Sequence, residues 1–390
     1  MIPAREILAL RDEWALRSDV IEKDWALGWV LAGIAAHPAL GSWVFKGGTC
    51  LRKCYYETYR FSEDLDFTVT AGGTDHPEQL IPIFSEIASW LTQHAGLELV
   101  VDERSFLSRR NRRGDPTTMG RLAYRGPTNP PVAPKLKIDL TADEVVVNPP
   151  VPRAVLHPYS DSPLPVATIG CYTIVDLLAE KLRALAERCR PRDLYDVVYL
   201  FRHPDLLGRA GDVSAALGRK CVHVGIEPPD LASIHATPYR DEIEAEWANM
   251  LDHQLPSLPP FAQFWSTLED VFAWLARTVA LPALPRAELG DLDPGWRAPR
   301  TMTSWRSGAP LELIRFAGAS RLKVEIDYYA ERGRHGPRVV EPYAFRRTRD
   351  GNVVLFVVND DSQLRSYRTD RIRGVAVTRQ PFQPRYLIEF

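Results

Sequence analysis

Apolar residues over the first 36 positions recur at helical spacing, with Ile7, Leu10, Trp14, Ile21, Trp25 and Trp29 spaced to share faces and Ser18-Asp19 offering a helix start between them. Two N-terminal helices are expected. Trp43-Val44-Phe45 then reads as a strand, Lys46-Gly47-Gly48-Thr49 as a glycine turn, and 50–59 as a helix-compatible stretch. Alternation predicts a strand over 65–69, amphipathic spacing a helix over 78–94, and further strands fall at 97–101, 121–124 and 136–140. A proline-rich passage over 148–165 reads as a surface connector, because proline withholds the N–H that regular elements need. Helical spacing returns at 174–188, 193–201, 240–251 and 261–278, and proline and glycine again at 280–299. Short β-rich runs at 322–329, 338–343, 353–358 and 374–378 close the chain as a small sheet or barrel. The expected organisation is a mixed-sheet α+β core over residues 1–150, a helical domain over 165–280, a linker over 281–300 and a β-rich domain over 301–390.

Length and composition agree with several packed units, since 390 residues exceed one typical domain and 45% hydrophobic residues suffice for real cores. No apolar run reaches membrane-spanning length, and the start lacks a signal-peptide layout, so a cytoplasmic protein is expected. The five cysteines form no C-x-x-C pair, which speaks against a disulfide framework or a zinc site; Cys50 and Cys54, one helical turn apart, read as small buried thiols. Net charge is −2, but it is unevenly spread: from Trp296 onward there are 18 Lys+Arg against 10 Asp+Glu, leaving 30 against 40 for the rest. Arg104, Arg109, Arg110, Arg112 and Arg113 make a second basic cluster inside the acidic part. Both regions would attract a phosphate-rich partner, and both also read as solvated surface.

The chemistry concentrates at Arg60-Phe61-Ser62-Glu63-Asp64-Leu65-Asp66-Phe67. On a strand, residues two apart share a face, so Asp64 and Asp66 point together while Leu65 and Phe67 enter the core. Two carboxylates held close repel unless a cation lies between them, and hard oxygen ligands are what Mg²⁺ or Mn²⁺ prefers. Nucleotidyl and phosphoryl transfer use such an ion to neutralise charge on the phosphates. Upstream, Gly47, Gly48 and Thr49 stand where a strand gives way to a helix, and such a turn lets a polyphosphate approach the backbone. Asp139, flanked by inward Ile138 and Leu140, would complete a metal-binding trio with Asp64 and Asp66 and could take the acceptor hydroxyl's proton.

These residues carry a resemblance. Phe45-Lys46-Gly47-Gly48-Thr49-Cys50-Leu51-Arg52-Lys53 and the Asp64–Asp66 segment resemble signatures of the AbiEii-type nucleotidyltransferase toxins of type IV toxin–antitoxin systems, whose core is polymerase β-like. Ile21-Glu22-Lys23-Asp24-Trp25, Ala179-Glu180-Lys181-Leu182 and Arg192-Asp193-Leu194-Tyr195-Asp196 are similar to that family too, so the likeness spans about residues 15 to 275. It implies an enzyme that uses a nucleoside triphosphate and Mg²⁺ to modify an RNA, with tRNA acceptor ends the known target class, and a cognate antitoxin protein as partner. Carried over by position, Lys46, Gly47, Gly48, Thr49 and Lys53 would serve nucleotide binding, with Ser62 beside the site. Lys181 would contact the triphosphate, and Asp193 or Asp196 would support the far half of the site. Structural alternatives stand beside these roles: Lys181 as a solvated helix lysine, Asp193 as an acid favouring a helix start, Arg192 as partner to a nearby carboxylate.

The last ninety residues resemble, more weakly, the WYL domain of bacterial regulators and defence proteins, through Glu341-Pro342-Tyr343, Arg365-Ser366-Tyr367-Arg368 and Asp370-Arg371-Ile372. Leu355-Phe356-Val357 stands where that family's Trp-Tyr-Leu would be, which puts any role of the missing tryptophan in doubt. Arg365, Arg368 and Arg371 recur every third residue, a candidate phosphate-binding surface or a set of salt bridges. Two readings follow: an active transferase whose tail selects target or signal, and a catalytically silent ligand- or nucleic-acid-binding regulator. The intact pair of acids favours the first.

Overall fold

The computed structural model describes residues 1–111, 113–277, 284–298, 309–330 and 335–390. Helices α1 (Ala4–Trp14) and α2 (Ser18–Ala36) open the chain, and α2 is buried along nearly its whole length because apolar residues occupy almost every face. Strand β1 (Trp43–Lys46) runs into the short helix α3 (Gly47–Cys50), which continues as a π-helical turn over Leu51–Tyr55. Strand β2 (Asp64–Val69), helix α4 (Pro77–Ala95) and strands β3 (Glu98–Val100), β4 (Phe106–Arg110), β5 (Pro116–Arg125) and β6 (Lys135–Thr141) follow.

The sheet does not stop at residue 150. Strands β7 (Val151–Ala154) and β8 (Thr168–Cys171) join it, giving the order β3-β5-β6-β2-β1-β8-β7 with β4 paired to β5. The proline-rich passage expected to be only a connector therefore contributes β7, and Pro152 is tolerated there because β7 is an edge. Strand β4 was not expected either; four of its five residues are exposed, so it carries no alternation to read. Pairing is parallel for β2–β6 and β1–β8 and antiparallel elsewhere, which makes the sheet mixed.

Helices α5 (Ile174–Arg188), α6 (Pro191–Phe201), α7 (Ala210–Val224), α8 (Leu231–His235), α9 (Arg240–Leu251) and α10 (Phe261–Leu275) form the helical part. Thr173 caps α5 by accepting from the Asp176 N–H, and Asp230 closes a capping box on α8. A second, antiparallel sheet has the order β12-β11-β10-β9-β13, built from β9 (Leu322–Tyr328), β10 (Gly336–Arg347), β11 (Val353–Val358), β12 (Leu364–Arg368) and β13 (Ile372–Pro381). Helix α11 (Leu311–Ala319) lies against this sheet and against α1. It also touches the first unit through polar contacts: the Thr58 hydroxyl donates to Glu312 at 3.0 Å, and Arg315 lies 3.7 Å from Glu57. Among the described residues no helix is long and apolar enough to cross a membrane.

Candidate active site

Alternation on the central strands sets the site. Leu65, Phe67, Ile138 and Leu140 are at most 1% exposed, which commits the intervening acids of β2 and β6 to the opposite face. The register places Asp66 between Lys46 on β1 and Asp139 on β6, and Asp64 beside Lys137. Gly47, at φ +79°, makes the bend that faces them, and a Cβ built there would lie 2.3 Å from Asp66 Oδ2. Only glycine permits this approach of bend and acid. A Cβ on Gly48 would meet Arg60 Nη2 at 2.6 Å and Ser62 Oγ at 3.0 Å, so half-buried Ser62 sits against the turn. Thr49 is buried, and its hydroxyl donates to the Asp64 carbonyl, tying the helix start to the head of β2.

The electrostatics are those of crowded acids. Burial, then Asp139 and Asp64, pushes Asp66 up to about 6 against the pull of Lys46 and Lys181. Burial also raises Asp64, opposed by Lys137 and reinforced by Asp139. The Lys137 ammonium contacts Asp139 and lies 3.9 Å from Asp64, so a cation of the chain itself stands among the acids. The oxygens of Asp64, Asp66 and Asp139 are not all within 4.8 Å of one another; among the described residues, the three-ligand grouping at that spacing is Cys50, Cys54 and Cys171, all buried. The carboxylates are spread around an ammonium, and a divalent ion would take its place. As a donor set, three acids with two of them raised by burial and mutual repulsion suit a hard cation.

A cleft of about 450 Å³ joins these groups to α5, with Lys46, Asp66, Asp139 and Glu144 on the sheet side and Lys181 and Arg188 opposite. Lys46 pairs with Glu144, which also accepts from the Thr68 hydroxyl at 2.9 Å. Lys181 lies 2.7 Å from Asp196 and 3.6 Å from Asp193. Those two acids are fully buried. Asp193 accepts both arms of Arg188 at 2.7 and 2.8 Å, and Asp196 both arms of Arg60 at 2.7 and 2.8 Å. Burial disfavours the charge on Asp196, yet Arg60 and Lys181 outweigh it and hold its pKa below the usual carboxylate range. Asp193 and Asp196 therefore orient cations at the cleft wall and offer nothing to a nucleotide directly.

Other expected residues fall elsewhere. Lys53 is 1% exposed and donates to equally buried Asp24 at 2.6 Å, so it is a core ion pair that no nucleotide reaches. Arg109 and Arg110 are exposed on β4, with Arg110 donating to the Gly114 carbonyl at 2.6 Å, and Arg104 is exposed just before that strand. Arg113 lines the cleft and lies 3.1 Å from Asp115 and 3.4 Å from Asp143, while Arg112 falls outside the described residues. In the tail, a spacing of three would align arginines along a helix, but Arg365 and Arg368 sit on strand β12, where three apart means opposite faces. Arg368 binds Asp370 through two bonds of 3.0 and 2.7 Å, and Arg371 follows in a 3₁₀ turn, so the three do not form one surface.

Lys137, Glu144, Arg188 and Arg60 were not singled out from the sequence. Lys137 was legible, being two residues before Asp139 on the same strand face. Glu144 and Arg188 reach the site from distant segments that no local pattern marks, and Arg60, although it opens the Arg60–Phe67 segment, meets its partner Asp196 only across the fold.

Paired acids on adjacent strands, facing a glycine bend and a helix that brings Lys181 and Arg188 to the cleft, define a nucleotidyltransferase-type site. Residues 29–277 match the family described as nucleotidyl transferase AbiEii toxin, type IV TA system, which is more than half of the chain. The chain belongs to this family of nucleotidyltransferase toxins. Residues 310–377 match the WYL domain. Among solved structures it is similar to MenT4, a nucleotidyltransferase toxin from Mycobacterium tuberculosis H37Rv, with a TM-score of 0.50 and 21% identity over 71% of this chain and 90% of that one. At that identity the likeness concerns the fold. No curated protein matches the chain.

Proposed function

We propose that the cleft transfers a nucleotide from a nucleoside triphosphate to an RNA acceptor, the 3′ end of tRNA, and that a cognate antitoxin protein restrains this activity. The observation that carries the reading is the packing of Asp66 against the Gly47 bend with Asp139 as its strand neighbour, in a cleft whose wall also carries the cations Lys46, Lys181 and Arg188 among the acids Glu144, Glu180 and Glu187. Asp64, Asp66 and Asp139 would hold Mg²⁺ or Mn²⁺, which when bound neutralises charge on the transferring phosphate. The chain's own groups do the rest. The glycine bend admits the polyphosphate to the backbone, and Lys181 and Arg188 offer positive charge fixed in place by Asp193 and Asp196. Asp139 accepts the proton of the attacking hydroxyl, whose oxygen bonds the α-phosphorus as the bond to the departing pyrophosphate breaks. Arg113 at the cleft and the exposed Arg109 and Arg110 on β4 would meet the acceptor's phosphates. In this arrangement residues 1–171 supply the sheet side of the catalytic unit, the helical part closes the cleft, and the WYL-type unit is an appended module.

The test is incubation of the full chain with each labelled triphosphate, Mg²⁺ or Mn²⁺, and total tRNA, beside Asp66→Ala and a chelator control. Label on tRNA 3′ ends that both controls abolish is expected. Absence of labelled RNA with all four triphosphates and both metals, or label on protein only, overturns the substrate assignment.

A further inference from the structure

The catalytic unit and the second sheet do not meet flush, and a cavity of about 960 Å³ separates them. That is within the range that accepts a ligand of nucleotide size. Its walls come from the π-helical turn, β7, the C-terminal end of α6, the α11–β9 turn and the last residues of the chain. Arg153, Arg202, Arg297, Arg315, Arg321 and Arg346 line it, against the acids Glu57 and Glu389. Two of these arginines are answered, Arg315 by Glu57 at 3.7 Å and Arg346 by Glu389.

Arg202 and Arg321 are not answered in this way. Among the described residues neither has an ion pair, and the acid felt by both, Asp270, is outweighed by burial. Arg202 reaches Thr267 Oγ1 at 3.3 Å and stacks over Phe264 at 5.1 Å, but its Nε is buried with no partner. Arg321 adopts φ +55°, a left-handed conformation that a non-glycine residue adopts at a cost. Burial, and for Arg202 the facing Arg321, pulls both below the ordinary guanidinium range, Arg321 to about 10. Arg153 adds a third cation, donating to the Cys54 carbonyl at 3.1 Å and stacked on Tyr55 at 4.2 Å. Arg202 and Arg321, like charges that feel each other in a sheltered wall with no described carboxylate in ion-pair contact, are unfavourable until an anion joins them. Tyr55, Tyr56 and Tyr199 provide flat aromatic surface in the same cavity.

Helix α6 links the cavity wall to the groups of the catalytic cleft. Arg202 stands at the C-terminal end of α6, the helix whose first half carries Asp193 and Asp196, the acids that orient Lys181, Arg188 and Arg60. The Tyr199 hydroxyl donates to the Thr58 carbonyl, fastening the same helix to the cavity wall.

We propose that this cavity binds a small phosphorylated nucleotide, its phosphates held by Arg202, Arg321 and Arg153 and its base among the tyrosines, and that occupancy adjusts the transfer site through α6. The binding claim is independent of the transfer reading; the coupling claim rests on it.

The experiment is calorimetric titration of the full chain with ADP in the presence of a chelator, which suppresses ion-dependent binding at the cleft. One-to-one binding is expected, weakened about tenfold or more in Arg202→Gln and in Arg321→Gln, the scale of a lost charge-assisted hydrogen bond. Asp66→Asn should leave ADP binding unchanged. Because both arginines lack a counter-ion in the free chain, each glutamine variant should keep or raise the melting temperature, whereas a structural arginine would lower it. No ADP binding, binding lost in Asp66→Asn but kept in the arginine variants, a lowered melting temperature in both arginine variants, or capture of a short oligonucleotide in place of ADP would each overturn the proposal.

Discussion

Replacing Gly47 by alanine probes the contact on which the site depends. The residue sits at φ +79°, where a side chain costs about 1–2 kcal/mol relative to glycine. The new Cβ would lie 2.3 Å from Asp66 Oδ2, about 1 Å inside ordinary contact, so either the bend or the carboxylate must move. Movement of the bend strains a buried segment at a further cost of roughly 1–3 kcal/mol. Movement of Asp66 displaces a proposed metal ligand by about 1 Å, a scale that costs on the order of a hundredfold in rate. Gly47→Ala should therefore lower the melting temperature by roughly 4–20 °C, taking about 2–5 kcal/mol for the two costs together and about 2–4 °C per kcal/mol. It should also cut nucleotide transfer about a hundredfold. Gly48→Ala is the control. Its φ is ordinary and its Cβ would press on the ion-paired Arg60 Nη2 at 2.6 Å instead of on Asp66, so it should lower the melting temperature yet retain more of the transfer activity. Gly47→Ala with wild-type melting and transfer would refute the argument that the bend and Asp66 constrain each other.

Three further outcomes are expected. In Lys137→Met the competing ammonium is gone, so half-saturation by Mg²⁺ in the transfer assay should fall roughly fivefold, the scale of a Coulomb term of about 1 kcal/mol at 4 Å in water; an unchanged or higher requirement would count against an ion among Asp64, Asp66 and Asp139. Asp196→Asn strands Arg60 and Lys181 in a buried site and should cost about 3–5 kcal/mol in chemical denaturation, and a loss below ~1 kcal/mol would show the network is not a stability element. Burial and then Glu312 raise Glu13 to about 6, above its unfolded value, so its proton stabilises the α1–α11 contact below pH ~4.5 and that contribution is lost as pH rises through 6. The melting temperature of wild type relative to Glu13→Gln should fall across that window by an amount worth less than ~1 kcal/mol, Glu13 being partly exposed, and a difference independent of pH would contradict the assignment.

Much of the fold could be read in advance where burial imposes a period. Helix α5 and helix α9 have the boundaries their spacing predicts, as does β11, because α9 presents one buried face while α5 and β11 are continuous apolar runs buried on most sides. Strands β4 and β12 escaped because they lie near the surface with charged, exposed positions, and β7 because an edge strand can carry the proline that normally excludes one. The same division runs through the site. The side-by-side placement of Asp64 and Asp66 follows from the two-residue repeat of a strand, and the glycine turn from residue type, so both are properties of local sequence.

What the local chain cannot specify is which distant charge arrives to answer another. Lys53 carries the same charge as Lys46 and lies seven residues away, yet one enters the core to meet Asp24 and the other lines the cleft beside Asp66. Asp193 and Asp196 occur in a family-like motif, but only the packing of α5 and α6 turns them inward onto Lys181, Arg188 and Arg60. The arginines at 365, 368 and 371 share a spacing whose meaning reverses between helix and strand. Periodicity and residue type thus determined where the acids and the bend stand along their own elements, whereas the pairing of charges, a long-range compensation between elements far apart in sequence, was decided by the tertiary structure alone.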